Sequence, residues 1–413
     1  MSKKNNNVHL LDFKTAMQKC AQRYGVSLFL MFVLTIQLFS LASGDFTTWL
    51  MLFHKVSYQE FGFISKAFVG SVVHLIAGEN VSISTIYIYV LLLCLLGIVL
   101  ASLWLGGIVS RANKHDQHGV LYFAVLFCFS PFFLRHLFMA GMFGKMDIVM
   151  VLCFIAACWL ITTGKMWALG VVPAVCLVAM LSHHGFYFLF FPSVFFLAMY
   201  SMKKAAHLWI SRIFFFIISL GFLFLQFGAK PTMNMEAFSQ HVGTSGDPVF
   251  LEYYGTLADH WNFLSLGIPK IIRFLVDLMI LSPFIALIGF VWWKADVFTR
   301  TQTQGEKARR WIWCIAFGPL VLCLPLFLGR DWGRWIAAIL TSQCAVLLVL
   351  TSLGNSPVRH AFQELSRLVE KWPLYAIMLL IYAIVLPGSR ERGVSFPRFN
   401  EMKQLEDLKM VIP

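Results

Sequence analysis

Four short stretches of this chain carry side chains able to grip phosphate oxygens and to move a proton. LGRDWGRWI, residues 328–336, gathers Arg330, Asp331 and Arg334 with Trp332, Trp335, Gly329 and Gly333. LRHLFMAGMFGKMD, residues 134–147, carries Arg135, Lys145 and Asp147. SHHGF holds His183 and His184, and SGDF holds Asp45. Arginine offers a planar fork of donors that stays charged and matches phosphate oxygens; lysine adds a point charge. Gly144, Gly329 and Gly333 let backbone approach a ligand closely. A carboxylate or imidazole within reach of a hydroxyl can take its proton. Trp332 and Trp335 could stack on sugar rings.

Elements that hold such groups must first survive an apolar solvent. Of 413 residues, 59% are hydrophobic and 13% charged, against about a quarter charged in soluble domains. Mean hydropathy is +0.74. The composition predicts a polytopic membrane protein with no water-soluble domain of useful size. The apolar runs are continuous and suit helices crossing a ~30 Å core, not barrel strands. The chain reads as all-α, a single transmembrane domain over 1–413. About eleven spans are expected, near 25–43, 84–110, 119–134, 147–163, 166–182, 184–201, 209–228, 269–292, 311–328, 335–354 and 372–388. The third is short, and Pro131 marks a candidate break. No cleavable signal is expected, because the first apolar run is long enough to span and no A-x-A site follows it.

The nine cysteines form no C-x-x-C pair, so neither structural zinc nor a redox pair is indicated. The net charge of +13 is dispersed among short loops, which argues against nucleic acid as a partner. Topology explains it better. With the N-terminus inside, 19 of the 33 Lys and Arg fall on the inner side, favouring a C-terminus outside. The inner segments RANKHDQHG, TTGKMW and MKKAAHLW read as plain basic anchors. Two outer segments are long: 44–83, expected to hold a helix on the membrane surface, and 229–268, polar and rich in turn formers. Residues 389–413 form an outer tail.

On this map the four charged stretches all fall on the outer side. Mixed charge, His and Gly at the ends of several hairpins mark a candidate site. Arginines plus one base are the minimum needed to move a sugar from a lipid diphosphate onto a hydroxyl. Each residue also has a plainer reading. Arg330, Arg334 and the tryptophans fit interface anchors. His183 and His184 fit loop histidines, Asp45 an ordinary loop acid, and Asp147 a helix N-cap. Accidents should fall on both faces, and the joint occurrence on one favours a site.

FGKMDIVMVLCFIAACWLI, KMWALGVVPAVCLVAMLSHHGFYFLFFP and LGRDWGRWI resemble segments of Wzy-like O-antigen polymerases and, more broadly, GT-C membrane glycosyltransferases. The resemblance covers roughly 135–195 and 320–345, less than a quarter of the chain. It implies a GT-C-like helical bundle in the bacterial inner membrane, acting at the periplasmic face on undecaprenyl-diphosphate-linked oligosaccharides. A G-[KR]-x-D motif matches Gly144, Lys145 and Asp147. A D-[WY]-G-R-W motif matches Asp331 through Trp335. A His-Glu pair matches His183 and His184, where this chain departs by having His in place of Glu; weight shifts to Asp147 and Asp331 as base. Asp45 is similar in position to an acid of the first outer loop. Arg135, Lys145, Arg330, Arg334 and Trp332 would then bind donor and acceptor. No cofactor and no metal is called for, since arginines can carry the phosphate charge. Besides the bilayer, a chain-length regulator is an implied partner. The rival readings are a lipid-linked oligosaccharide flippase, for which Asp277 with Arg273 would be the ionisable pair within a span, and an O-antigen ligase.

The topology makes a direct prediction. Reporter fusions at residues 115, 205 and 302 should report the cytoplasm, and fusions at 245 and 400 the periplasm. The same side for 205 and 245 would collapse the map and the site built on it.

Overall fold

The computed structural model describes residues 24–38, 53–63, 66–78, 81–138, 146–202, 205–227, 268–302, 305–318, 320 and 332–385. Among them every regular element is helical. In chain order these are α1 (Tyr24–Leu38), a 3₁₀ turn (Phe53–Lys55), α2 (Tyr58–Phe61), α3 (Ala67–Ala77), α4 (Ile83–Arg111), α5 (Gln117–Phe129), α6 (Pro131–Phe138), α7 (Asp147–Thr162), α8 (Met166–Ser182), α9 (Phe186–Leu189), α10 (Phe191–Ser201), α11 (Ala205–Phe227), α12 (Ile268–Arg300), α13 (Gly305–Phe317), α14 (Trp332–Ser352), α15 (Ser356–Lys371) and α16 (Pro373–Val385).

Among the described residues three helices are long and apolar enough to cross a membrane alone: Ser84–Arg111, Leu275–Arg300 and Trp335–Ser352. The bent pair α15–α16 makes a fourth if taken as one span. Most other apolar helices are shorter than the ~20 residues a full crossing needs, while α11 runs 23 residues. Two expected spans are broken. Residues 119–134 divide into α5 and α6 at Ser130, whose hydroxyl accepts from the Phe133 N–H at 3.3 Å, with Pro131 at the first helical position. Residues 184–201 divide into α9 and α10 at Phe190.

α14 is the central post, with 89% of its spanning window buried. α6, α7, α10 and α12 pack around it. Its run Ala345–Leu350 is fully buried aliphatic packing. It also carries polar side chains inward. Gln343 accepts from the Trp292 indole N–H at 2.7 Å and donates to the Ala316 carbonyl at 2.5 Å. The Ser342 hydroxyl donates to the Leu189 carbonyl at 3.3 Å, where α9 ends. A helix end in apolar surroundings has no water to satisfy its carbonyls, and this hydroxyl takes that place.

One end of the bundle is tied by arginines. Arg111 donates to the Thr162 carbonyl at 2.9 Å and to the Ser352 hydroxyl at 3.2 Å, joining the last turns of α4, α7 and α14. Arg359 donates to the Arg111 carbonyl at 3.1 Å and lies 3.4 Å from the buried Asp116 carboxylate. Burial pushes the Asp116 carboxyl above its ordinary range, against the pull of Arg359. The RANKHDQHG segment is therefore more than a row of anchors, because its acid turns inward. At the same end Asp296, also buried, accepts from Arg300, Arg309 and the Trp313 indole, which closes the α12–α13 hairpin. Asp277 is half-buried on α12, and the Arg273 side chain lies outside the described residues.

The segment 355–371, expected as an inner loop, is helix α15. Its apolar positions 358, 361, 362 and 365 follow helical spacing and are buried. Asn355 caps it by accepting from the Val358 N–H at 3.0 Å. Pro373 ends it, and α16 leaves at 102°. α15 lies on α5 because residue 119 is glycine. The Gly119 N–H donates to the Ser366 hydroxyl at 2.8 Å, and a Cβ there would stand 2.3 Å from the Phe362 carbonyl oxygen.

Gly119→Ala should therefore cost about 1–3 kcal/mol, the range for overpacking a tight contact. Gly170→Ala, where a Cβ meets nothing within 4 Å, should be neutral or stabilising by about 0.5–1 kcal/mol. Thermal unfolding in detergent, followed by tryptophan fluorescence, reads both. Equal melting temperatures for the two variants would refute this account of the contact.

Candidate functional site

α7 leads away from the arginine-tied end. Its last residue, Thr162, sits at that end, so its first, Asp147, stands about 22 Å away at ~1.5 Å per residue. Met146 occupies the cap position, and Asp147 is the first helical residue. The N-cap reading of Asp147 is thereby corrected. Negative charge is favoured in this first turn by the aligned peptide dipoles.

Asp147 is 1% exposed, and 3.6 Å from its Oδ1 lies Nε2 of His183, itself 4% exposed. The local chain explains the placement of His183. α8 stops at Ser182, and His183 is extended, at φ −159° and ψ 114°. The chain then turns through His184 and Gly185 into α9. The Gly185 N–H donates to His183 Nδ1 at 2.9 Å. A Cβ on residue 185 would come within 2.8 Å of that same nitrogen, so the ring lies against Gly185 because the glycine has no side chain.

This hydrogen bond assigns a proton. A nitrogen that accepts carries none, so His183 Nδ1 is bare and the ring is neutral with its proton on Nε2. That N–H faces Asp147. The imidazole N–H thus lies beside the carboxylate, at 3.6 Å too far for a direct hydrogen bond. His184 is half-buried with its ring 5.2 Å from that of His183.

The helices bearing the other candidates pack around the pair. α6, which carries Arg135, packs on α14 and α7. α14, which carries Trp332 and Arg334, packs on α9, just past the histidine turn. The half-buried Trp335 lies 6.2 Å from Phe188, centroid to centroid, so it packs within the bundle edge. For Arg135, Trp332 and Arg334 only the backbone is described. Asp45, Lys145, Arg330 and Asp331 lie outside the described residues. Among the described residues no three His, Cys, Asp or Glu side chains gather closely enough to hold a metal ion.

The sequence reading passed over Asp116 and Asp296, the buried acids of the opposite end. Their partners Arg359 and Arg309 are distant in sequence or lie in another helix, and only α15 carried a legible signal, its helical spacing. Compared with known proteins, the chain matches no protein-family model, no curated protein and no solved structure.

The pair predicts a thermodynamic coupling. His183→Ala should destabilise by about 1–3 kcal/mol, because it removes a buried polar neighbour of the carboxylate. Asp147→Asn removes the charge and should cost less. The double variant should recover about 0.5–3 kcal/mol relative to the sum, the usual coupling of residues in contact. Strict additivity in a double-mutant cycle of unfolding free energies would show that the two side chains do not interact.

Proposed function

We propose that this chain is a multi-pass membrane glycosyltransferase of the bacterial inner membrane, with about eleven spans in a GT-C-like bundle. It polymerises lipid-linked oligosaccharide repeat units at the periplasmic face. The donor is a chain on undecaprenyl diphosphate and the acceptor is one repeat unit on the same lipid. The reading rests on one observation above all, a buried carboxylate faced by a neutral imidazole N–H at one end of an apolar bundle. The packing of the Arg135 and Arg334 helices against that end supports it.

The chemistry follows from the groups. The acceptor hydroxyl oxygen attacks the anomeric carbon of the donor sugar. Asp147 takes the hydroxyl proton, with the neutral imidazole of His183 beside it. The bond from the anomeric carbon to the diphosphate oxygen breaks, and its electron pair stays on that oxygen. Arg135, Arg330 and Arg334 balance the charge that develops there. Burial of Asp147 and His183 keeps water from competing with the sugar hydroxyl.

Reconstitution of the full chain with a synthetic lipid-linked repeat unit tests the activity. A ladder of products supports polymerisation. Transfer only to a lipopolysaccharide core would make the chain a ligase, and lipid movement without a new glycosidic bond would make it a flippase. Arg334→Lys tests the phosphate role. It keeps the charge and the reach to headgroups but loses the two-donor fork. Polymer should fall by ~10²–10³, the cost of one transition-state donor. Arg310→Lys should be silent, since Arg310 is exposed and pairs only Glu306 among the described residues. Normal polymer from Arg334→Lys at equal protein level would return Arg334 to an anchoring role.

A further inference from the structure

We infer that the arginine-tied end of the bundle holds a binding site for the phosphate headgroup of an anionic phospholipid, in the cleft between the α4–α5 turn and α15. The inference is independent of the sugar-transfer reading and needs only membrane residence. The cleft encloses about 440 Å³ and is lined by Lys114, His115, Gln363, Ser366, Arg367 and Glu370. That volume lies in the usual range of small-molecule sites, about 300–1,000 Å³.

Both walls are fixed. Asp116, turned inward against Arg359, sets the shape of the α4–α5 turn and leaves Lys114 and His115 exposed beside it. The other wall is held by the Gly119–Ser366 hydrogen bond, where α15 meets α5 backbone to backbone.

Charge and position select the ligand. Lys114 and Arg367 are exposed cations on opposite walls. Arg367 pairs with Glu364, but Glu364 is shared with Lys294 at 3.5 Å, so one carboxylate answers two cations. Glu370 pairs with His118 at 2.9 Å. The balance favours an anion, and the planar fork of Arg367 suits phosphate oxygens. The apolar neighbours say that the anion carries lipid tails. Leu368 and Trp372 are exposed at the end of α15, and Leu374, Tyr375, Ile377 and Met378 follow on α16. Acyl chains would cover these residues while the headgroup enters the cleft. Basic pockets between helices at a membrane surface are the usual seats of such headgroups.

The test uses the full chain in nanodiscs holding equal phosphatidylglycerol and phosphatidylethanolamine, with retained lipid read by native mass spectrometry. The wild type should retain phosphatidylglycerol selectively. Lys114→Gln and Arg367→Gln should each weaken that retention on the order of fivefold, from ~1 kcal/mol per basic residue near the surface. Glu370→Gln should strengthen it, a gain that no folding defect could mimic. Arg212→Gln, at an exposed arginine stacked on Trp209 at the start of α11, should change nothing. Unselective retention, or equal loss in Arg212→Gln, would overturn the site. Displacement of the lipid by an equal concentration of soluble glycerol phosphate would overturn its lipid source.

Discussion

Inside an apolar bundle a backbone carbonyl without a partner has no water to turn to, and that constraint organises this molecule. Each unsatisfied group costs several kcal/mol in hydrocarbon. The chain nonetheless breaks helices within the bundle, at Ser130 and at Phe190. The Ser342 hydroxyl answers the carbonyl at the end of α9. Gln343 joins α12 and α13 to α14 by donating to Ala316 and accepting from Trp292. Arg111 answers the last turn of α7. α14 can be a central post of mostly aliphatic residues because its few polar side chains sit where neighbouring helices need partners.

The two ends of the bundle use charge differently. At one end every buried acid meets a permanent cation. Asp296 takes hydrogen bonds from two guanidinium groups and an indole, and Asp116 faces Arg359. Such pairs neutralise charge and lock helix ends, which is structural work. At the other end the group facing Asp147 is an imidazole held neutral by the Gly185 N–H. A neutral imidazole beside a carboxylate adds no charge of its own to the site. That difference between the two ends is what the proposed chemistry at the Asp147 end builds on.

How much of this was legible in the sequence depends on the range of the signal. Helix type and apolar solvent were plain, because composition and run length report them directly. The break at Pro131 was legible from local turn chemistry. The break at Phe190 was not, since FYFLFFPSVFF offers one proline two residues too late and the carbonyl partner comes from Ser342, far along the chain. α15 was readable from its helical spacing but was masked by its charged face, which resembles a loop when topology is counted by Lys and Arg. Asp147, His183 and His184 were found by residue type. Their relation was not, because the tautomer of His183 depends on a backbone N–H two residues away and on a turn with no motif of its own. Asp116 was hidden in a segment whose basic neighbours gave a sufficient reason for it.

The breaks and the site are linked by geometry. A straight membrane helix can present a given end residue in one direction only, set by its tilt and rotation. Breaking α5 from α6 at Ser130 re-aims the half that carries Arg135, and α6 then packs on both α14 and α7. Breaking the chain at His183 and again at Phe190 lets a short helix turn the imidazole back against Asp147. The break at Phe190 leaves the Leu189 carbonyl to be answered by Ser342 of the central helix. Ser342 of α14 thus supports the short helix that follows the histidine turn. Loss of the Ser342 hydroxyl would act on the site through the Leu189 carbonyl and the turn before it, without touching a ligand.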